Sequence, residues 1–352
     1  MKAADCVVCS GAGRSLYSLN AAMSQIALSQ IGWRNKVVLT PDDPGFPGKS
    51  MYEAASDLER RYKKILLLMN SGSGYSDDPF VMAQDLSRYI EEKKTSKFTM
   101  GLITSSLESP LAQITNQHGY VIQLKGRGRS KPSFEYSETG MMGDIFELGT
   151  LSLMGMMIEA IFRNLEAHEV FQLCNEEFEK IGSIIDSNLQ SETYTQLVDL
   201  LEKRTNLFIG GKGTADQIAK MTAIRLFHIK SFLGDDVYVT RGVNTPHPRA
   251  GDLEILMSFS GETKPVVIWC DVMKKFNGNV LAITGCKDSS LAKKADLNII
   301  LEEETKPGTP RRFYTRAAYV LSPLPVKLAE RLAQRGLKLP EYIISWYHSV
   351  TQ

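Results

Sequence analysis

The chain has 352 residues, 43% hydrophobic and 23% charged, the composition of an ordinary globular protein of about two domains. Its 41 basic and 40 acidic residues leave a formal net charge of +1, so bulk electrostatics draw it to neither nucleic acid nor an anionic membrane. Neither partner is expected.

The N-terminal run MKAADCVVCSGAG reaches glycine before a signal-like apolar segment can form, so no signal peptide is expected. Residues 5–9 read as a strand. Cys6 and Cys9 form a CxxC there, but a strand turns them to opposite faces. No second CxxC follows, so no metal site is expected, and the five scattered cysteines read as reduced core thiols of a cytoplasmic protein. Gly11 and Gly13 then open an amphipathic helix that runs to about residue 32. Further strands are expected near 36–39, 64–69, 99–103 and 119–124, with a proline- and glycine-rich loop at 40–49. The basic stretch KGRGRSK at 125–131 reads as a solvated loop. Residues 144–204 read as helices. The most apolar part, 148–162, is interrupted by Glu159 and is short for a bilayer, so a buried helix is expected. Strands resume near 206–210, 236–240, 253–258, 279–283 and 297–300.

The two series repeat one another. Gly11 and Gly13 correspond to Gly211 and Gly213, an offset of 200; Ser71 to Ser258, 187; LITSSLESPLA (102–112) to AITGCKDSSLA (282–292), 180. Alternating strands and helices predict, in each half, a five-stranded parallel sheet flanked by helices, an α/β doubly wound, flavodoxin-like fold. The boundary is placed near residue 168, giving domains 1–168 and 169–352.

In such a sheet ligands sit beyond the carboxyl ends of the strands. Two strands end there in hydroxyl turns: NSGSGYS, with Ser71, Ser73 and Ser76, and SFSGET, with Ser258, Ser260, Gly261 and Thr263. Each turn leads into a helix whose free N–H groups and dipole favour an anion, most naturally a phosphate. No Walker lysine is present, so this is no triphosphate loop. The plain alternative is that the Ser and Thr side chains merely cap helices.

Ser258-Phe-Ser-Gly-Glu-Thr263 resembles the S-x-S-G-E/N-T signature of the sugar isomerase (SIS) family. The Gly-x-Gly openings and the T-G-x-x-x-S-x-L-A-x-x-A-D segment at 284–296 fit the same family. The resemblance implies two tandem SIS domains that bind a phosphorylated sugar through these loops, with Gly13 and Gly213 lining them. In the first half Gly74 and Tyr75 depart from the signature. Within the family the chain is most similar to the 6-phospho-3-hexuloisomerases, as a duplicated version.

That likeness implies a cofactor-free sugar-phosphate isomerase working through an enediol, which needs a carboxylate or imidazole over the sugar. MMGDIFELGTLSLMGMMIEAIF (141–162) resembles the stretch in which a Gly-x-x-Phe-Glu opens the last long helix, so Glu147 is the acid/base candidate. A helix-start carboxylate favoured by the dipole is the alternative. The second half has Arg312 or Tyr314 at that place. The half with the better loop thus lacks the acid, and a single site drawing on Glu147 and on Ser258, Ser260 and Thr263 is one expectation. His247, between two prolines, is the imidazole candidate, against a surface role. Arg14 and Lys212 read as solvated helix-start cations, and His228 as a core or interface residue. Two other functions are kept open: a non-catalytic phosphosugar sensor, and an amino-sugar-phosphate deaminase/isomerase. A homodimer is expected, with 151–162 and 341–349 as interface or internal packing.

Overall fold

The computed structural model describes residues 1–28, 36–126, 145–241, 245–305, 309–340 and 343. Met1–Arg129 with Ile145–Asn164 form one compact unit, and the stretch from Leu165 onward forms the body of a second. The basic stretch at 125–131 and the aromatic one at 341–349 lie outside the described residues, apart from Lys125, Gly126 and Ile343.

In the first unit the elements are β1 (Cys6–Gly11), α1 (Gly13–Leu28), β2 (Val37–Leu39), α2 (Met51–Arg61), β3 (Ile65–Asn70), α3 (Asp77–Lys93), β4 (Phe98–Thr104), α4 (Pro110–His118), β5 (Gly119–Gln123) and α5 (Ile145–Arg163). The strands pair in parallel in the order β2-β1-β3-β4-β5. The second unit has α6 (Ala167–Leu189), α7 (Glu192–Glu202), β6 (Leu207–Gly211), α8 (Thr214–Phe232), β7 (Val237–Thr240), β8 (Leu253–Met257), α9 (Lys264–Lys275), β9 (Asn279–Thr284), α10 (Ser290–Lys294), β10 (Leu297–Ile300), α11 (Arg312–Leu321) and α12 (Leu324–Gln334). Read from its own edge, its sheet runs β7-β6-β8-β9-β10, again all parallel. The two orders are the same, and each is the doubly wound flavodoxin-like arrangement the repeat predicts.

Every residue of β1, β3, β6 and β8 is buried, as strands covered on both faces require. Cys6, Val8, Ile65, Leu67 and Met69 share one core with Met51 and Leu58 of α2 and Met82 and Leu86 of α3. Alternation turns Val7 and Cys9 to the other face. Burial pushes the Cys6 and Cys9 thiols up to about 12. Cys270 is buried too, but Cys286 is exposed and Cys174 half-buried, so only three of the five cysteines are core residues.

Helix α5 is long and apolar enough to cross a membrane by length and composition alone. In the first unit it packs along α1 with Phe146, Leu151, Met154 and Ile158 buried. The methionine-rich segment is thus largely internal packing rather than a free face.

Two buried charged groups tie the second unit together. Arg316 of α11 grips Glu177 of α6 through Nε–Oε1 and Nη2–Oε2 contacts of 2.9 and 2.8 Å. Lys230 at the end of α8 donates to the Leu201 and Lys203 carbonyls and to Asp235, at 3.1, 2.8 and 2.8 Å. Burial lowers the Lys230 pKa, against the pull of Asp235.

A third buried charged residue behaves differently. Glu254 lies mid-strand in β8, where the first unit has Leu67, and accepts one hydrogen bond, from Thr240 Oγ1 at 2.9 Å. Burial pushes its carboxyl from 4.5 up to about 7. Below pH 4.5 both folded and unfolded chains hold the proton, and the residue costs nothing. Between pH 4.5 and 7 the unfolded chain ionises first, so stability falls as pH rises, then levels off. At 1.36 kcal/mol per unit, the loss is about 3 kcal/mol. Urea unfolding at pH 4.5 and pH 8 is expected to show this loss in wild type relative to Glu254→Gln. Equal pH dependence in the two proteins would refute it.

Candidate functional site

The strand order fixes where a ligand can approach. The chain leaves β1 and β3 in opposite directions along the sheet, which opens a crevice at their carboxyl ends; β6 and β8 do the same in the second unit. The Gly-x-Gly turn follows one strand of each pair and the hydroxyl turn follows the other. The two glycines of each Gly-x-Gly serve different needs. A Cβ on Gly11 would sit 2.9 Å from the Asn70 carbonyl oxygen, and one on Gly211 would sit 2.5 Å from the Ala215 Cβ. Gly13 and Gly213 instead hold φ at +51° and +61°, with nothing within 4 Å of where a Cβ would lie.

In the second unit the hydroxyl turn is closed by its own side chains. Ser258 Oγ and Thr263 Oγ1 are 2.8 Å apart. Ser258 Oγ also accepts from the Gly261 N–H, and Ser260 Oγ from the Glu262 N–H, at 3.1 and 3.2 Å. Gly261 has φ +65°, and a Cβ there would lie 2.1 Å from Ser289 Oγ. That contact matters because Ser289 caps α10 by accepting from the Ala292 N–H at 3.3 Å, and the Leu291 N–H donates to the Gly261 carbonyl at 3.1 Å. Glu262 reaches the same helix: its Oε1 accepts from the Ser290 N–H at 2.6 Å. Those hydrogen bonds hold its carboxyl below the usual range. Glu262 therefore pins the turn to α10.

Capping does not explain the turn. Thr263 occupies the N-cap position of α9 but its side chain makes no cap hydrogen bond. Its hydroxyl is directed back to Ser258, which leaves the Lys264 and Val266 N–H groups of the first turn to an outside acceptor, Pro265 having none. No acidic residue lies in that first turn, and Lys264 stands there exposed.

The first unit repeats the turn bond for bond and differs in charge. Ser71 Oγ and Ser76 Oγ are 3.0 Å apart, the Gly74 N–H donates to Ser71 Oγ at 3.1 Å, and the Tyr75 N–H donates to Ser73 Oγ at 3.2 Å. Ser76 likewise makes no side-chain cap. Two acidic residues, Asp77 and Asp78, now fill the first turn of α3 and oppose an anion. Tyr75 replaces the Glu262 carboxylate, and Pro110, which has no N–H, replaces its donor Ser290. Both ends of one hydrogen bond have changed together.

What the first unit has instead is a buried polar cluster at the ends of β1 and β3. Asn70 Nδ2 donates to the Ser15 carbonyl at 2.7 Å and to Ser18 Oγ at 3.1 Å. Thr150 Oγ1 donates to Asn70 Oδ1 at 3.2 Å, and Ser15 Oγ to Glu147 Oε1 at 3.5 Å. Glu147 is only 2% exposed. By the repeat offsets, and with Phe146 aligned to Phe313, the second unit has Ala215, Ile218, Met257, Ala317 and Tyr314 at these five positions. Sequence reasoning singled out Glu147 and missed Ser15, Ser18, Asn70 and Thr150. The signal was there: polar residues in one repeat faced apolar ones in the other.

His247 is a correction. It is exposed, and its ring lies 5.6 Å from that of Phe276, the residue closing the far end of α9. The loop after it is bound to Asn277 and leads into the start of β8. His247 thus sits at the amino end of its sheet, while Ser258 and Thr263 sit at the carboxyl end. A parallel strand must be entered from the opposite edge, and the loop that carries His247 makes that return. Arg14, expected to be solvated, is buried. Lys212 is exposed, with Nζ 4.9 Å above the Trp269 ring. His228 is half-buried beside Phe227.

The SIS domain family profile matches residues 200–319. An uncharacterized protein of Methanothermobacter thermautotrophicus is 30% identical over 146 residues, 42% of this chain and 68% of that protein. The 3-hexulose-6-phosphate isomerase of Bacillus subtilis is 33% identical over 123 residues, 35% of this chain and 62% of its own length. The chain spans 62–68% of the length of these two relatives and 56% of the 3-hexulose-6-phosphate isomerase of Methanocaldococcus jannaschii. Among solved structures, the tagatose-6-phosphate ketose/aldose isomerase of Escherichia coli superposes with a TM-score of 0.55 at 13% identity, covering 98% of this chain and 86% of that one. At that identity the likeness concerns the fold.

Proposed function

The chain belongs to the SIS domain family, and from that premise we propose that it binds a phosphosugar at the Ser258–Thr263 turn and isomerises it by proton transfer between neighbouring carbons. The observation that carries the reading is the closed hydroxyl pair: Ser258 and Thr263 bond each other at 2.8 Å and leave the α9 terminus uncapped. A phosphate there accepts from the Lys264 and Val266 N–H groups and the exposed hydroxyl of Ser260, with the helix dipole and Lys264 favouring its charge. The similarity to a 3-hexulose-6-phosphate isomerase points to a hexulose phosphate as substrate.

Proton transfer through an enediol needs a carboxylate or an imidazole and no redox cofactor. By the family likeness Glu147 of the first unit is the carboxylate candidate; its Oε1 lies 3.5 Å from Ser15 Oγ, and the matching position in the second unit is Tyr314. Its deep burial favours a second reading, a sensor that binds the sugar phosphate without turnover. The deciding experiment pairs calorimetric binding of fructose 6-phosphate, with fructose as control, with turnover of 3-hexulose 6-phosphate. Wild type is expected to bind the phosphorylated sugar alone. Glu147→Gln is expected to keep that affinity while kcat falls by about 10²-fold or more. Binding without any wild-type turnover favours the sensor. An unchanged kcat in the variant removes Glu147 from the reaction.

A further inference from the structure

Beside the second unit's turn stands a cation that the family signature does not contain. Phe259, between Ser258 and Ser260, lies edge-on to Phe313 with ring centroids 5.4 Å apart. Its ring is seated over Gly285, where a Cβ would come within 2.7 Å of the ring carbons. Its carbonyl accepts from the Gly285 N–H at 2.9 Å and from Thr284 Oγ1 at 3.1 Å. Ring and backbone are therefore both fixed. On this ring lies the guanidinium of Arg311, its Cζ 4.0 Å from the centroid. Arg311 Nη1 is shielded from solvent and has no hydrogen-bond partner among the described residues.

A shielded guanidinium nitrogen without an acceptor is costly, because desolvation is not repaid by a bond. The arrangement makes sense if an acceptor arrives from outside. The neighbouring carboxylate, Glu303, is already engaged: its two oxygens accept from the Arg312 and Phe313 N–H groups at 2.8 and 2.7 Å. It closes the start of α11 and leaves the Arg311 side chain to the ring. The first unit has none of this seat. Gly72 stands for Phe259 and Ser105 for Gly285, so no ring is there to hold a guanidinium.

We infer that Arg311, stacked on Phe259, is the charged group that binds the anionic end of the ligand taken by the Ser258–Thr263 turn. The turn supplies neutral hydrogen-bond donors. Arg311 supplies a full positive charge in a fixed plane, which suits two oxygens of one phosphate. Phe259 acts as the positioning residue, because it sets that plane through its face. The inference rests on the phosphosugar reading of the same turn and specifies which side chain carries its charge selectivity.

The test measures calorimetric affinity for fructose 6-phosphate and inorganic phosphate, with fructose as control, in wild type, Arg311→Gln, Arg311→Lys and Phe259→Leu. Loss of a hydrogen-bonded charge partner is expected to raise the Kd of Arg311→Gln for both phosphates roughly thirtyfold or more. Arg311→Lys is expected to recover part of the loss, since it keeps the charge and loses the planar stack. Phe259→Leu keeps the arginine and frees it, so its affinity should fall by an intermediate factor. If Arg311→Gln does not fold, the Lys and Leu variants decide. Wild-type affinity in all soluble variants overturns the inference and leaves the phosphosugar reading standing. Failure of the wild-type protein to bind either phosphate overturns both.

Discussion

Replacing Gly261 with alanine is expected to weaken phosphosugar binding strongly and to destabilise the second unit. The new Cβ would lie 2.1 Å from Ser289 Oγ and 2.3 Å from Ser289 Cβ. A hydroxyl can rotate away, but a Cβ cannot move without its backbone. Ser289 is held by its cap on α10, and the Leu291 N–H binds the Gly261 carbonyl. The φ of +65° adds a left-handed penalty. Overpacking and the left-handed conformation together cost about 3 kcal/mol. A turn displaced by an ångström or so is expected to lose affinity about a hundredfold. Gly74→Ala is the matched control. Its Cβ would meet Ser109 Oγ at 2.0 Å, and φ is +74°, so it should destabilise similarly. It should leave binding intact, because Asp77 and Asp78 already oppose an anion at that turn. Adding Ser289→Gly to Gly261→Ala removes the Ser289 clash and should recover part of the affinity, while the φ penalty, the lost α10 cap and a 3.0 Å contact with Thr284 Oγ1 remain. Calorimetric unfolding and fructose 6-phosphate titration read both effects. Wild-type affinity in Gly261→Ala would show that the turn does not hold the ligand. An equal loss of affinity in Gly74→Ala would show that the charge argument is wrong.

The second large effect is on folding. Arg316 and Glu177 are almost fully buried, at 3% and 7% exposure, and two short bonds join them. Removing one partner leaves the other charge in the core without compensation. Glu177→Leu or Arg316→Met is expected to cost about 3–5 kcal/mol. The double replacement Glu177→Leu with Arg316→Met is expected to be much less harmful, since a well-packed apolar pair often matches a buried ion pair. Urea unfolding of the four proteins gives the coupling. Additive losses in the double variant would show that the pair acts as two independent side chains.

Much of the architecture was legible because its signals are local. Ten strands were expected and ten are found among the described residues, each within two residues of its expected limits. Strands buried on both faces are short continuous apolar runs, and parallel pairing forces a helix or a long return between them. The repeat supplied the rest: the same order of features twice over implied the same sheet twice over. The hydroxyl turns were legible for a related reason. A strand that ends in Ser, Gly and Thr announces a turn with φ above zero and free polar groups, and Gly74 and Gly261 do hold φ at +74° and +65°.

His247 shows the limit of that kind of reading. Two flanking prolines and a position just before the turn-bearing strand made it look close to Ser258 in sequence. Between His247 and Ser258 the chain turns at 249–252 and then runs the length of β8, from one edge of the sheet to the other. Nearness in sequence therefore placed it at the wrong end.

The doubled α/β fold, the position of the two hydroxyl turns and the family likeness were written in the chain, because each depends on side-chain type and spacing along a continuous segment. Which groups those turns engage emerged from the packing alone. It showed Thr263 bonding Ser258 instead of capping α9, and Glu262 tied to the Ser290 N–H. It also showed Arg311 lying on Phe259 and Ser15 donating to Glu147. The last three pairs are separated by 28, 52 and 132 positions. The physical reason is that a hydrogen bond or a stacked cation is set by distances of a few ångströms and by direction. Such distances are fixed by how strands and helices pack, and spacing in the chain carries no record of them.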